Sequence, residues 1–137
     1  MGSVASKPVL MVVDDEADFA EYVAEVAGDL GFDVNVHSSA RDCLQAIIAK
    51  KPDVIVMDIV MPNMDGVELV QEIGRRLPGA SVIVMSGFDS RYLGVVRTLG
   101  EAGGVNICAT LMKPFTANEL EIALMPFRPR GNEGAGE

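Results

Sequence analysis

No tryptophan, a single histidine and only two cysteines occur in the 137 residues, and each scarcity closes off a chemistry. Zinc and other nitrogen- or sulfur-ligated metals need several His or Cys ligands drawn together, which this composition does not supply. Cys43 and Cys108 lie in apolar-patterned segments with no close partner, so they read as free buried thiols, a usage that fits a reducing cytoplasm. His37 falls at the end of a strand pattern, not on a bundle helix, and reads as a surface residue, not a phosphohistidine. Basic residues are also scarce: 11 Lys and Arg stand against 20 Asp and Glu, a formal net charge of -9. A nucleic-acid binder needs clustered cations to replace the counterions on phosphates, so no direct nucleic-acid binding is expected. Nor is there a long hydrophobic run. The longest, Val9–Val13 and residues 54–57, have strand length and fall far short of the ~18 to 20 residues of a membrane span, so no membrane association is expected. The opening Met1-Gly2-Ser3-Val4-Ala5-Ser6 matches an acylation pattern only formally, and Met-Gly-Ser is equally what cloning leaves behind.

What is present is one domain's length of balanced sequence. A chain of this size buries roughly two-thirds of its unfolded surface, enough for a core without staples. Short apolar runs alternate with segments of helical period, the mark of a parallel sheet covered by helices on both faces. Strands are expected at Val9–Val13, at residues 33–36, 54–57 and 81–85, and within Asn106–Met112. Between them, Phe19, Val23, Val26, Ala27 and Leu30 form one helical face stopped by Gly31. Leu44, Ile47 and Ile48 form a second behind the cap candidates Ser38 and Ser39. Leu69, Val70, Ile73 and Leu77 form a third closed by Pro78-Gly79. Tyr92, Val95, Val96 and Leu99 predict a fourth helix weakened by Gly94. Thr116-Ala117-Asn118-Glu119 is a capping-box start for a fifth, cut short by Pro126. The expected layout is a flexible segment 1–7, a domain 8–126 and a flexible tail 127–137, with no repeat, second domain or attached effector domain. Right-handed crossovers leave the flavodoxin-like doubly wound order 2-1-3-4-5 as the expected topology, an α/β fold whose first and third strands are neighbours.

Chemistry-bearing residues gather at the carboxyl ends of these strands. The first ends in Asp14-Asp15-Glu16 and the third in Asp58, so carboxylates from two strand tips converge on the switch point where open sheets bind ligands. Like charges so close repel unless a cation sits among them, and oxygen-only ligands favour Mg²⁺. The fourth strand ends Met85-Ser86-Gly87 and the fifth Met112-Lys113-Pro114, adding a hydroxyl and an ammonium. Singly, each of these residues reads as loop solvation or a turn. Together they supply what phosphoryl transfer requires: metal, hydrogen-bond donor and positive charge.

Val12-Val13-Asp14-Asp15-Glu16, the stretch from Asp58 through Met61-Pro62-Asn63-Met64-Asp65-Gly66, Met85-Ser86-Gly87 and Lys113-Pro114-Phe115 resemble the receiver domain of bacterial two-component response regulators, over about residues 8–125. The resemblance implies that Asp58 accepts a phosphoryl group from a histidine kinase or phosphotransfer protein. It implies that Asp15, Asp58 and the Val60 carbonyl bind Mg²⁺ while Asp14 acts through a metal-bound water, and that Ser86 and Lys113 hold the phosphoryl oxygens. The product would signal through contact with a downstream protein in the cytoplasm, and the chain would catalyse only its own phosphorylation and dephosphorylation. Two features depart from the family pattern: Thr110 stands where an aromatic is usual, and the step from Ser86 to Lys113 is long. Two alternatives stand beside this reading. One is a phosphate-independent adaptor that keeps the fold only. The other is a Mg²⁺-dependent phosphohydrolase of the haloacid-dehalogenase type, which would need an Asp-x-Asp pair and a cap domain that the sequence lacks.

Overall fold

A computed structural model describes residues 7–62, 64–87 and 90–129; Asn63, Phe88, Asp89, the first six residues and 130–137 lie outside the description. The elements follow in the order β1 (Val9–Val13), α1 (Ala17–Asp29), β2 (Asp33–His37), α2 (Ala40–Lys50), β3 (Val54–Asp58), β4 (Val60–Met61), β5 (Met64–Asp65), α3 (Gly66–Arg76), β6 (Ser81–Ser86), α4 (Ser90–Ala102), β7 (Asn106–Met112) and α5 (Ala117–Leu124), with a short 3-10 turn at Met125–Phe127. All pairings of the main sheet are parallel, in the order β2-β1-β3-β6-β7. This is the expected 2-1-3-4-5 winding once the antiparallel two-residue pair β4-β5, which the sequence reading did not anticipate, is set aside.

Strand runs without polar alternation are buried on both faces, and the pleat divides them between two cores. Met11, Val13, Ile55, Met57, Val82 and Val84 face one core, filled by Cys43, Ile47, Leu69, Ile73, Leu93 and Val96. Leu10, Val12, Val54, Val56, Ile83 and Met85 face the other, filled by Val23, Ala27, Phe115, Leu120 and Leu124. Each buried Val, Leu, Ile, Met or Phe side chain among them contributes about 1.5 to 3 kcal/mol by leaving water. Helix starts follow local chemistry. Ser39 accepts from the Asp42 N–H at 3.1 Å, Asp65 from the Val67 N–H at 2.8 Å, and Thr116 and Glu119 form the expected reciprocal capping box.

Two expectations change in detail. α4 turns Leu93, Val96 and Gly100 inward, while Val95 and Leu99, placed on the apolar face by their hydrophobicity, are 48% and 38% exposed. Ile48 of α2 is likewise exposed; Cys43, Leu44 and Ile47 carry the contact. Gly66 permits a close approach, since a Cβ there would lie 2.7 Å from the Ile59 carbonyl oxygen. At the chain's described end, Phe127 packs on the second core and Pro129 lies against Gly31, a position with φ of +103°.

The long step between Ser86 and Lys113 is absorbed partly by a bulge. Val82 pairs with Ile107 and the adjacent Ile83 pairs with Ala109, leaving Cys108 as an extra residue in β7. Ile107 faces the first core, but Cys108, Ala109 and Leu111 all contact the second. The bulge therefore inverts the alternation of every later residue in the strand.

Candidate functional site

Four parallel strand ends define the site. The Asp14 N–H donates to the His37 carbonyl at 3.1 Å, the Ile59 N–H to the Met85 carbonyl at 3.1 Å and the Lys113 N–H to the Ser86 carbonyl at 2.7 Å, so each tip is fastened to its neighbour. Asp14, Asp58 and Ser86 are the buried polar residues here, surrounded by the apolar runs that precede them. Met57 and Met85 are fully buried, one in each core, and Met61 and Met64 pack against the first core beside Met57.

Lys113 is the centre of the arrangement. Its ammonium lies 2.8 Å from Asp14 Oδ2, 2.7 Å from Glu16 Oε1 and 3.0 Å from Asp58 Oδ2. Burial works against the charged form of Lys113, but hydrogen bonds to these three carboxylates outweigh it and hold the ammonium above its ordinary range. For Asp14 the balance runs the other way: loss of water raises its carboxyl above the usual value, despite lowering contributions from Lys113 and the Glu16 N–H. Glu16, at the surface, is lowered by its hydrogen bond to Lys113. The inversion caused by the Cys108 bulge explains the reach of Lys113. It places residues 109, 111 and 113 on the α1 side, where the ammonium stands 4.4 Å from the centre of the Phe19 ring.

The structure brings together most of the residues singled out in the sequence. Asp15, Asp58, Val60 and Lys113 line one open cavity of about 290 Å³, together with Glu16 and Gly87. Asp58 Oδ1 accepts from the Val60 N–H at 3.0 Å, and Ser86 ends β6 one residue beyond Met85, the register partner of Asp58. Carboxylate oxygens of Asp14, Glu16 and Asp58 lie within 4.8 Å of one another, so an all-oxygen donor set that suits a hard divalent cation exists at the expected place. Glu16, not Asp15, completes that group; Asp15 is exposed at the cavity wall. Phe88, whose position two after Ser86 bears on water access, lies outside the described residues.

Sequence reasoning missed two participants. Helical spacing puts Phe19 on the apolar face of α1, and its ring does pack edge-on against Phe115 at 5.1 Å, but it also backs the ammonium of Lys113. Tyr92 was assigned to the apolar side of α4, yet its hydroxyl donates to Asp65 Oδ1 at 2.6 Å. Neither contact has a local signal, since the partners are far apart in the chain. The cysteines play no part. Cys43 is fully enclosed, its thiol pushed up to about 12 by burial, and Cys108 is half-buried with its thiol raised for the same reason.

A family model described as the response regulator receiver domain matches residues 10–125. The chain belongs to that family. Its relatives include the DNA-binding response regulator MtrA of Mycobacterium tuberculosis, 32% identical over 124 residues that cover 90% of this chain and 51% of MtrA. Among solved structures, a response regulator from Colwellia psychrerythraea is 28% identical with a TM-score of 0.76, covering 88% of this chain and 96% of that one. A CheY-like receiver domain protein from Methanospirillum hungatei shares the fold with a TM-score of 0.79 at 23% identity, covering 88% of this chain and 93% of that one. This receiver spans about half the length of the curated relatives it matches. No helix among the described residues is long and apolar enough to cross a membrane.

Proposed function

We propose that this receiver takes a phosphoryl group onto Asp58 from a histidine kinase or phosphotransfer protein, in a Mg²⁺-dependent reaction, and signals by phosphorylation-dependent contact with another protein. The observation that carries the reading is the placement of the Lys113 ammonium 3.0 Å from Asp58 Oδ2, at the end of a strand flanked by Asp14 and Asp15. A carboxylate cannot approach a phosphorylated donor, itself an anion, until its own charge is offset.

The cation would be held by Asp15, Asp58 and the Val60 carbonyl, with Asp14 acting through water; Glu16 is within reach of the same place. When bound, Mg²⁺ supplies positive charge to the oxygens of the group in flight. Asp58 provides the nucleophilic oxygen. As its new bond to phosphorus forms, the donor's P–N or P–O bond breaks and the leaving group keeps that electron pair. Lys113 and Ser86 would hold two phosphoryl oxygens, each from the end of a strand whose core is apolar. The chain acts on no other substrate in this reading, and its -9 charge supports protein contact over DNA contact by these residues. A cytoplasmic setting follows from the kinases that such a domain serves.

Intact mass after incubation of the full chain with acetyl phosphate and Mg²⁺ tests the proposal. One added phosphoryl group, stable to acid, labile to alkali and lost in Asp58→Asn, is expected. No adduct on the unaltered chain overturns the proposal in favour of a phosphate-independent adaptor.

A further inference from the structure

We propose that Glu16 is a positioning residue that keeps Lys113 engaged and must release it before a phosphoryl group can be accepted, so that Glu16 slows modification of Asp58. The inference rests on the phosphoacceptor reading of the site.

A lysine ammonium has three N–H donors and no more. All three are matched here, by Asp14 at 2.8 Å, Glu16 at 2.7 Å and Asp58 at 3.0 Å. An incoming phosphoryl oxygen therefore finds no free donor on Lys113 until one carboxylate leaves. Asp14 is not the one, because its side chain is fully buried and its second oxygen already accepts the Glu16 N–H at 2.9 Å. Asp58 is the acceptor itself and stays in place. The Glu16 side chain is 64% exposed at the cavity mouth, so it alone can exchange Lys113 for water at little cost.

Local structure supports a dedicated role. Glu16 is the residue before the first turn of α1, in extended conformation, where a polar side chain ordinarily caps the helix, yet it makes no capping hydrogen bond. Its carboxylate is turned to Lys113 instead. One turn further on, the Phe19 ring sits 4.4 Å from the same ammonium and is itself held edge-on by Phe115 and Tyr22. When Glu16 lets go, Lys113 keeps Asp14 and the ring of Phe19 and remains aimed at the site. No bond is made or broken at Glu16; its effect is on donor availability and on the negative charge facing an anionic donor.

The test compares the rate of acetyl phosphate-driven phosphorylation in the full-length chain, its Glu16→Gln and Glu16→Ala variants, and Asp18→Asn, by intact mass at several Mg²⁺ concentrations. Asp18 is an exposed acid in the same first turn that does not contact Lys113, so it controls for net charge. Both Glu16 variants are expected to react roughly two- to fivefold faster, the range an exposed ion pair spans. Asp18→Asn should match the unaltered chain, and half-saturating Mg²⁺ should be the same in all four. Equal rates, equal acceleration in Asp18→Asn, or slower reaction with a raised Mg²⁺ requirement in the Glu16 variants would overturn the inference; the last result would make Glu16 a metal ligand. If the unaltered chain accepts no phosphoryl group, the phosphoacceptor reading falls and this inference with it. Phosphorylation of the unaltered chain without faster Glu16 variants removes the inference alone.

Discussion

Tyr92, in the first turn of α4, donates its hydroxyl to Asp65, the residue that caps α3 shortly after the proposed acceptor Asp58. The contact ties the segment after Ser86 to the segment after Asp58, at the two strand ends where a phosphoryl group would add charge. Its electrostatics are consistent: the Tyr92 hydroxyl bond and the Val67 N–H hold the Asp65 carboxyl below its usual value, while burial and then Asp65 raise the Tyr92 phenol. In the family pattern an aromatic ring three residues before the lysine turns as the hydroxyl residue moves. Thr110 has no ring to turn, and it lies instead in a groove of about 300 Å³ with Leu93, Gly94, Arg97 and Met112.

Displacement at Ser86 is therefore expected to pass into α4 through the Tyr92–Asp65 contact. Tyr92→Phe should lower stability by about 0.5 to 1.5 kcal/mol, the net worth of one hydrogen bond, measured by urea unfolding. Amide exchange over residues 87–104 should change when beryllofluoride and Mg²⁺ are added, and Tyr92→Phe should raise exchange there beforehand. Changes confined to Thr110 and its β7 neighbours would contradict this route.

Glycines in the helices separate into two kinds with opposite expected effects. A Cβ on Gly74 of α3 would stand 2.4 Å from the Gly103 carbonyl oxygen, and backbone cannot rotate away. Gly74→Ala should destabilise by about 1 to 3 kcal/mol, the cost of overpacking. Gly94 of α4 and Gly28 of α1 meet nothing within 4 Å and do not need a left-handed backbone. Alanine at either should stabilise by roughly 0.5 to 1 kcal/mol, because a helix interior then loses less backbone freedom on folding. Thermal unfolding of the three variants under one set of conditions checks both signs.

The part of this architecture legible in the sequence is the part fixed by local pattern. β1, β3 and β6 are continuous apolar runs because they are covered on both faces, and the acids and the hydroxyl stand out because each ends or directly follows such a run, whereas Lys113 follows the mixed strand β7. Capping at Ser39 and Thr116 was readable for the same reason: the side chain and the N–H it accepts from are three residues apart. What was not legible depends on partners distant in the chain. Val95 and Leu99 are as apolar as Leu93 and Val96, and only the packing of α4 decides which pair faces water. The bulge at Cys108 carries no turn signature around it, yet it re-aims Lys113. The link from Lys113 to Glu16 joins residues 97 positions apart, so its geometry had no trace in spacing.

The lifetime of the phosphorylated state should be set by the side chain at position 60. Val60 follows the proposed acceptor by two residues, is 47% exposed and lines the cavity with Asp58, where water would enter to attack a phosphoryl group held there. An isopropyl group can neither accept a proton from that water nor orient it, so hydrolysis lacks general-base assistance from this side. The phosphoryl group on Asp58 is therefore expected to persist for minutes or longer without a phosphatase. Val60→Glu should shorten that lifetime roughly tenfold or more, less than the roughly hundredfold or greater contribution of a fully positioned base because the new side chain is exposed. Because Val60 is half in solvent, the change should leave the melting temperature nearly unaltered. Decay of the intact-mass adduct after removal of acetyl phosphate measures both variants. Loss within seconds in the unaltered chain would show that water is oriented by another group.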